Sequence, residues 1–260
     1  ILAANNPLSG TLYLDRGADG SALNDGAVRV TAAQALVNVG QVVIRNTSVT
    51  TGGGRLELDG SAGSVQVAAD LVISMRNNTT GNLRNVAGNN TFVGDVFAST
   101  GGSNVVFQSD AGTLTLAGTM QYVGSSANGR SFNFLGAGNL LVTGDLLNST
   151  NGAPIALAKS GAGTLTLAGV NTHTNTTSVR GGTLLVNGII TASPVFIGDV
   201  SALGGTGVIS GPVTVQSGGT LAPGASVGQL TISNTVTLQA GSTTRIELDK
   251  AAGTSDQLRV

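Results

Sequence analysis

The sequence contains no cysteine and no tryptophan, and aromatic residues make up only 3% of it. The absence of cysteine excludes disulfides, thiol chemistry and cysteine-based zinc sites within these 260 residues. Charged residues are also scarce, at 10% against roughly 25% in a usual domain. Lysine occurs only at Lys159 and Lys250, and glutamate only at Glu57 and Glu247. Because the long charged residues that favour helices are nearly missing, the sequence argues against a helical protein.

Net charge and hydropathy exclude two further classes of function. The formal net charge is −1 and there is no basic run that could follow phosphates, so nucleic-acid binding is not expected. No apolar run reaches the roughly 20 residues that a membrane-spanning helix needs. The chain starts at "ILAANNPLSG" without an initiator Met or a signal peptide, and it stops at "DQLRV" within a strand-like pattern. We therefore expect it to be a fragment of a longer precursor.

What the sequence does contain is a repeat. The segment "SDAGTLTLAG" at 109–118 returns as "SGAGTLTLAG" at 160–169. In the second copy Leu165 and Leu167 alternate with Thr164 and Thr166, which is the pattern of a strand with one buried face. Looser copies, each bounded by Gly or Asx turn residues, lie at 9–17, 53–60, 136–144, 181–188 and 218–224.

Short strands at regular spacing without helices between them predict an all-β solenoid whose rungs share one long core. A β-sandwich is the alternative. The near-identical copies favour the solenoid, because stacking places each copy in the same environment. Even the best helix candidate, "VTAAQALVN" at 30–38, is interpreted as strand. About 22 residues per rung would give roughly a dozen rungs and a rod near 55 Å long, at about 4.8 Å per rung.

We expect one continuous solenoid over residues 1–260. Its clearest repeats lie at 109–118, 159–188 and 203–258, and residues 75–135 are irregular.

Two stretches resemble a known family. "KSGAGTLTLAGVNTHTNTTSVRGGTLLVNG" (159–188) resembles the passenger-associated transport repeat of bacterial autotransporters, and residues 203–258 are similar to the continuation of such passengers. The resemblance implies a right-handed parallel β-helix that is displayed or released outside the cell. The sequence departs from the family at 173–176, "HTNT", where an aromatic residue, Thr and two glycines are usual. The resemblance therefore implies the fold and leaves the shape of this turn open.

"GASVG" at 224–228 fits the G-x-S-x-G pattern of a serine-hydrolase nucleophile elbow, with Ser226 as the nucleophile. An elbow needs a helix after the serine and a histidine base, whereas an alternating strand pattern follows Gly228. His173, the only histidine, lies about fifty residues earlier, more than two predicted rungs away. We interpret Ser226 as a turn residue.

His173 could be a metal ligand or a general base, but "GVNTHTNTTSV" brings it no second histidine and no carboxylate. We interpret it as a surface or turn side chain. "DRGADGSALNDG" (15–26) could bind calcium, yet it does not match the spacing of known calcium loops and is interpreted as a long turn. The G-x-G pair Gly161/Gly163 lacks the following helix of a dinucleotide site. The sequons at Asn46 and Asn148 are attributed to chance.

Two similar motifs, "RLELDG" (55–60) and "RIELDK" (245–250), carry paired carboxylates. Glu57 and Asp59 would lie about 7 Å apart on one face of a strand, as would Glu247 and Asp249. That separation is near the range used in glycoside hydrolysis. The alternative is a solvated outer face opposite an intact core face, and we favour it because an Arg precedes each pair by two positions.

From the sequence we expect an extracellular structural protein, a surface stalk, layer or fibre, with no catalytic, cofactor-binding or metal-binding residues. The alternatives are an adhesin for glycans or host surfaces and, third, a polysaccharide-degrading enzyme. Neither end shows a capping helix or a charged lid. We therefore expect the end rungs to be covered by further rungs of the same polypeptide or by self-association.

Overall fold

The fold of the chain, in a computed structural model, is described for residues 1–3, 8–15, 26–45, 54–74, 80–99, 102–124 and 130–260. Within these ranges it is built from short β-strands and turns, and no helix occurs. The first strands are β1 (Gly10–Asp15), β2 (Ala27–Val30), β3 (Val39–Arg45), β4 (Arg55–Asp59), β5 (Gln66–Val67), β6 (Asp70–Ser74), β7 (Leu83–Ala87), β8 (Asn89–Phe92), β9 (Val96–Ser99), β10 (Asn104–Ser109), β11 (Thr113–Leu116), β12 (Met120–Tyr122), β13 (Arg130–Leu135), β14 (Asn139–Val142) and β15 (Ile155–Lys159). They are followed by β16 (Thr164–Leu167), β17 (Val170–Asn171), β18 (Thr177–Val179), β19 (Gly182–Val186), β20 (Ile189–Ile190), β21 (Val195–Ile197), β22 (Ser201–Gly204), β23 (Val208–Ile209), β24 (Val213–Val215), β25 (Thr220–Leu221), β26 (Gln229–Ile232), β27 (Val236–Leu238), β28 (Thr243–Thr244), β29 (Leu248–Asp249), β30 (Thr254–Ser255) and β31 (Gln257–Arg259).

These strands stack into long parallel sheets. Sheet 1 has ten strands in the order β2-β4-β7-β10-β13-β15-β18-β21-β24-β27. Sheet 2 has nine, β28-β25-β22-β19-β16-β14-β11-β8-β5. Sheet 3 is β1-β3-β6-β9-β12 and sheet 4 is β17-β20-β23-β26-β31. Leu146 continues sheet 3 into sheet 4, because it pairs with Met120 and its carbonyl accepts a hydrogen bond from Thr172.

The chain visits the sheets in rotation. From β7 to β28 a strand of sheet 1 is followed by one of sheet 2 and then by one of sheet 3 or 4, except after β14, where the single residue Leu146 takes the third place. Within the four sheets neighbouring strands pair in parallel, and only β29 and β30 pair antiparallel. The predicted all-β architecture of stacked parallel strands is thus confirmed. No helix of the described residues is long and apolar enough to cross a membrane.

Rung length changes along the stack. The Asn139 side chain accepts a hydrogen bond from the backbone N–H of Thr164, 25 residues on. In the later part Asn187 does the same for Thr206, only 19 residues on. Rungs of this shorter length extend from about residue 164 to residue 221, and the steps lengthen again after it, as between Val213 and Val236. The expected spacing of about 22 residues lies between the two values.

Alternation at period two builds the interior. In sheet 2 the inward residues fall into register as a leucine column of Leu114, Leu140, Leu165, Leu184, Leu203 and Leu221, all essentially buried. The threonines between them point outward and are partly exposed. Stacked side chains of one shape share one environment, which explains why "TLTL" occurs twice.

The middle of the chain uses the few aromatic residues. Phe92, Phe107, Phe132, Phe134 and Tyr122 are all buried. Phe107 stacks on Phe134 with ring centroids 5.4 Å apart. The described residues between 75 and 135 pair in the same sheets as the rest, so this stretch is irregular in sequence and regular in pairing. The core of this part of the stack therefore contains aromatic rings, whereas the core of the later rungs is built mainly from aliphatic side chains.

A column of six glycines follows six of the nine strands of sheet 2. A methyl group at any of these positions would come far inside van der Waals contact of a carbonyl in the preceding rung. Gly144, for example, lies against the carbonyl of Gly118, which in turn lies against that of Gly94. The column consists of Gly94, Gly118, Gly144, Gly169, Gly188 and Gly207. Close stacking of backbones therefore requires the glycine that ends "TLTLAG".

The expectation that residues 30–38 form a strand is wrong. Val30 ends β2, and residues 32–38 form successive turns closed by bonds such as Ala35 N–H to Ala32 C=O. The adjacent Ala35 and Leu36 are both buried, which a strand with one buried face would not allow. The Ala-Ala-Gln-Ala run lacks the β-branched residues that favour extended backbone.

Candidate functional site

The motif at 55–60 forms an ion-pair cluster across sheet 1. Arg29, Glu57 and Arg84 are direct neighbours on β2, β4 and β7. Glu57 lies 2.8 Å from Arg29 Nη2, 2.9 Å from Arg55 Nε and 3.3 Å from Arg84 Nη1. Arg84 also binds Asp110. The core face opposite is intact, with Leu56 and Leu58 buried.

Glu57 is not the solvated side chain that we expected, since only 3% of it is exposed. Arginines on the two neighbouring strands pair in register with Glu57 and cover its carboxylate. The sequence does not show which residues of other rungs lie beside Glu57. Burial by itself raises the pKa of Glu57, but hydrogen bonds and charges from Arg29 and Arg55 outweigh it and hold the pKa below its ordinary value. The Glu57 carboxylate is therefore ionised at neutral pH and is unsuited to act as a general acid.

Asp59 is not a free partner for Glu57. Its carboxylate accepts a hydrogen bond from the Ser61 backbone N–H and lies 3.7 Å from Arg29 Nη1. Hydrogen bonding to Ser61 is the main cause that lowers the pKa of Asp59. Both carboxylates of this pair are thus held in the charged form.

The motif at 245–250 has a different environment. Arg245 and Glu247 are exposed and lie 3.5 Å apart. Ile246 and Leu248 are exposed as well, so the core face that we expected behind this pair is absent. The reason is that β29 leaves the stack and forms an antiparallel hairpin with β30. Asp249 accepts bonds from the backbone N–H groups of Ala251 and Ala252 and closes this hairpin.

His173 is fully buried, and the expectation of a surface or turn side chain is wrong in this respect. Its Nε2 lies 2.7 Å from Thr177 Oγ1, which lies 2.9 Å from Ser193 Oγ. Ser193 donates to the carbonyl of Asn175. The ring therefore lies in the interior of the stack.

The hydrogen-bond chain fixes the tautomer of His173. Because Ser193 uses its proton for Asn175, it accepts from Thr177, and Thr177 then accepts from Nε2–H of His173. Nδ1 is left as a buried acceptor without a partner among the described residues. Burial lowers the pKa of His173 to about 4, so the ring is neutral at physiological pH.

Ser226 lies in an exposed bend between β25 and β26. The segment after Gly228 is β26, and no helix starts there. His173 follows β17, which is three strand positions from β26 in sheet 4, a distance of about 14 Å. The structure does not bring the serine and the histidine together.

Ser226 and the exposed ion pair nevertheless line one cavity of about 210 Å³ on the outer face of sheet 2. Its floor is made of Ala202, Gly204 and Ala222, and Arg245 and Glu247 form one wall. Two sequence candidates, "GASVG" and "RIELDK", come together here.

The sequence analysis missed Asp256, which holds two walls of this cavity. One carboxylate oxygen accepts from Gly228 N–H at 3.0 Å and the other from Glu247 N–H at 2.8 Å. Asp256 is buried, although it lies in the polar segment "GTSDQ". No pattern in the sequence distinguishes it from a surface aspartate, because its partners are backbone groups.

It also missed Lys159, which is fully buried at an inward position of β15. Its ammonium group donates to the carbonyls of Ser160, Gly161 and Gly181 at 2.9–3.1 Å. Burial lowers the pKa of Lys159 to about 8. The signal was present, since Lys159 continues the inward alternation of Ile155 and Leu157.

The remaining candidates divide into turns and undescribed residues. Gly161 has a positive φ of 82° in a turn that stacks on Gly136, as a tight turn requires. Asn148 accepts bonds from the backbone of Ile155 and Thr174 and bridges two rungs. The segment 16–25 of the calcium candidate and the sequon at Asn46 lie outside the described residues. Within the described ranges no group of three or more metal-ligating side chains is assembled.

Comparison with known proteins gives one family. The family described as passenger-associated-transport-repeat matches residues 107–127 and 157–186. None of the curated proteins matches the chain. Each match contains one copy of "TLTLAG", and the second also contains the His173 segment. The chain therefore carries passenger-associated transport repeats, the autotransporter passenger repeat that the sequence at 159–188 resembles.

Proposed function

We propose that this chain is an extracellular structural β-solenoid, a segment of a surface stalk, layer or fibre in bacteria. The coil is right-handed and has roughly a dozen rungs. Passenger-associated transport repeats support the location outside the cell, since passengers are secreted.

The observation that carries the proposal is the unbroken parallel ladder of sheet 1. Its ten strands span nine steps of about 4.8 Å, or about 43 Å. Charge is sparse, and the largest cluster in the described ranges, around Glu57, is neutralised internally. Such a ladder suits a rod whose stability is distributed over many rungs. Small-angle scattering should give an elongated particle, and a globular profile would refute the proposal.

Self-association at the last rung is part of the proposal. The edge strands β27, β28 and β31 lie together and each pairs on one side only among the described residues. Leu238, Ile246 and Leu248 are exposed at this end. Unpaired edges next to apolar side chains favour covering by a further rung, from a second copy or from the same polypeptide.

Light scattering and electron microscopy test this interface. We expect oligomers or filaments that dissociate in L238K/I246K, whereas V170K, at an exposed apolar residue on the side of the rod, should leave them intact. Monodisperse monomers with amides of β27 and β31 protected from hydrogen exchange would show that this end is already covered.

We also propose that the chain is not an enzyme. Within the described ranges no histidine lies beside Ser226, since His173 is about 14 Å away, and Glu57 is bound by three arginines. S226A and H173A should leave hydrolysis of ester and peptide substrates at the level of the unsubstituted chain. Loss of a measurable hydrolase activity in S226A would make the serine a nucleophile after all.

The second candidate function, an adhesin, rests on the cavity beside Ser226, where an exposed Arg and Glu face a floor of small residues.

A further inference from the structure

We propose that the cavity at Arg245 and Glu247 is a binding site for a neutral hexose unit of a glycan. This goes beyond a structural role, and the rod does not depend on it.

The cavity exists because one outward column of sheet 2 loses its side chains. The outward residues in register are Thr115, Leu141, Thr166, Leu185 and Gly204. Ala222 and Arg245 come directly after Leu221 and Thr244, which pair in the next two strands, and their backbone N–H groups bind the carbonyls of Leu203 and Leu221. Threonine and leucine fill the column up to Leu185, after which Gly204 and Ala222 leave a hollow. Gly204 cannot carry a side chain, because a Cβ there would lie 2.6 Å from the carbonyl oxygen of Ala222.

The walls of the hollow are held in place by backbone contacts. Gly205 and Gly224 exchange two hydrogen bonds of 2.8 and 2.9 Å and fix the start of the Ser226 bend. Asp256 ties the end of that bend to the backbone of Glu247. A site whose walls are fixed before binding loses little conformational entropy when a ligand enters.

The chemistry of the lining selects the class of ligand. Ser226 and Thr183 supply hydroxyl groups, Arg245 supplies donors, and Glu247 supplies acceptor oxygens. A guanidinium and a carboxylate side by side match neighbouring sugar hydroxyls, each of which donates and accepts. Glu247 disfavours an acidic ligand, and no second cation lines the cavity among the described residues.

Size and polarity favour a sugar over a peptide. The volume of about 210 Å³ is below the roughly 300–1,000 Å³ of sites for drug-sized ligands, so it suits a single ring of a longer chain. The half-open hollow lets a polymer continue along the sheet. The lining offers no deep apolar pocket in which a peptide could anchor a large side chain.

A glycan array that carries neutral, sialylated, sulfated and uronate oligosaccharides tests the assignment on the 260-residue chain. We expect binding to a neutral hexose or N-acetylhexosamine oligosaccharide. Titration calorimetry with that oligosaccharide should then show at least tenfold weaker binding for A222L, which fills the hollow, and for R245Q.

The matched control is T166L, which changes the same outward column away from the hollow, where Leu141 and Leu185 already occupy equivalent positions. T166L should bind like the unsubstituted chain, and thermal melts should show that all three variants are folded. No binding to any neutral oligosaccharide, binding of acidic glycans alone, or equal loss in T166L and A222L would each overturn the assignment. Scattering from the same samples tests the rod separately.

Discussion

Lys159 lies directly beside Phe134 on neighbouring strands of sheet 1, in an inward column that is otherwise apolar. The column continues through Phe107 on one side and through Val179 and Ile197 on the other. Lys159 is tolerated there because three turn carbonyls accept its three ammonium protons. The lysine thus supplies donors to the turns of two successive rungs.

Replacing Lys159 with methionine should destabilise the chain at pH 7. The stem is preserved in K159M, but the carbonyls of Ser160, Gly161 and Gly181 lose their donor in a buried place. We expect a loss of about 2 kcal/mol in the free energy of unfolding, measured by urea denaturation. K250M, at the only other lysine, changes an exposed turn residue and should shift it by less than about 0.5 kcal/mol. If K159M were as stable as the unsubstituted chain, water would have to donate hydrogen bonds to these carbonyls as effectively as the lysine does.

The two related motifs provide a matched pair of glutamates. Glu57 is buried among three arginines, and Glu247 is exposed with one Arg at 3.5 Å. E57Q removes the charge that compensates the arginines, and we expect a loss of about 2–3 kcal/mol in unfolding free energy. E247Q should cost no more than about 0.5 kcal/mol. Equal effects in chemical denaturation would contradict the burial of Glu57.

His173 should make the chain less stable in acid. Its pKa is about 4 in the folded chain against an ordinary value of 6.5, so below pH 6.5 the unfolded chain binds a proton that the folded chain does not. Stability is therefore fully present above pH 6.5 and falls with pH, by about 3 kcal/mol at pH 4. Urea titrations at pH 7.5 and pH 4 measure this loss.

The control for His173 is H173Q, whose amide can still donate to Thr177 but does not titrate. Because His173 is the only histidine, carboxylates contribute similarly to both chains, and the difference between them isolates the ring. Identical acid sensitivity of the two chains would show that the buried ring is already protonated or is reached by water.

The fold could be predicted from the sequence because it depends on local alternation. Leu165 and Leu167 point inward and Thr164 and Thr166 outward, as period two requires. The turn at 32–38 was missed because its buried pair, Ala35 and Leu36, is adjacent in sequence and breaks that period. Alternation alone cannot show where a rung replaces a strand by a turn.

The candidate site was predicted less well because it depends on register between rungs. "RLELD" and "RIELD" are almost identical, yet Glu57 is buried and Glu247 is exposed. The difference lies in the arginines that neighbouring strands bring to Glu57 and in the hairpin that removes Glu247 from the stack. Asp256 binds only backbone groups, so no residue type in the sequence points to it. Lys159 could have been found, because it continues the inward alternation of β15.

The glycine column of sheet 2 predicts that adding one methyl group in the repeat destabilises the chain. In G144A the added methyl group would press on the carbonyl of Gly118 in the rung before, and the backbone of one rung would have to move. Displaced stacking breaks hydrogen bonds as well as contacts, so we expect a loss of about 3 kcal/mol in unfolding free energy.

G40A is the control for G144A. Gly40 is an exposed strand residue whose added methyl would only reach ordinary contact, 3.8 Å from the carbonyl oxygen of Gly10. Its φ is not left-handed, so the substitution should be neutral or should stabilise the chain by up to about 1 kcal/mol by restricting the unfolded state. Both variants are measured by the midpoint of urea unfolding at constant slope. If G144A and G40A changed the unfolding free energy equally, close approach of stacked backbones would not explain the glycine at the end of "TLTLAG".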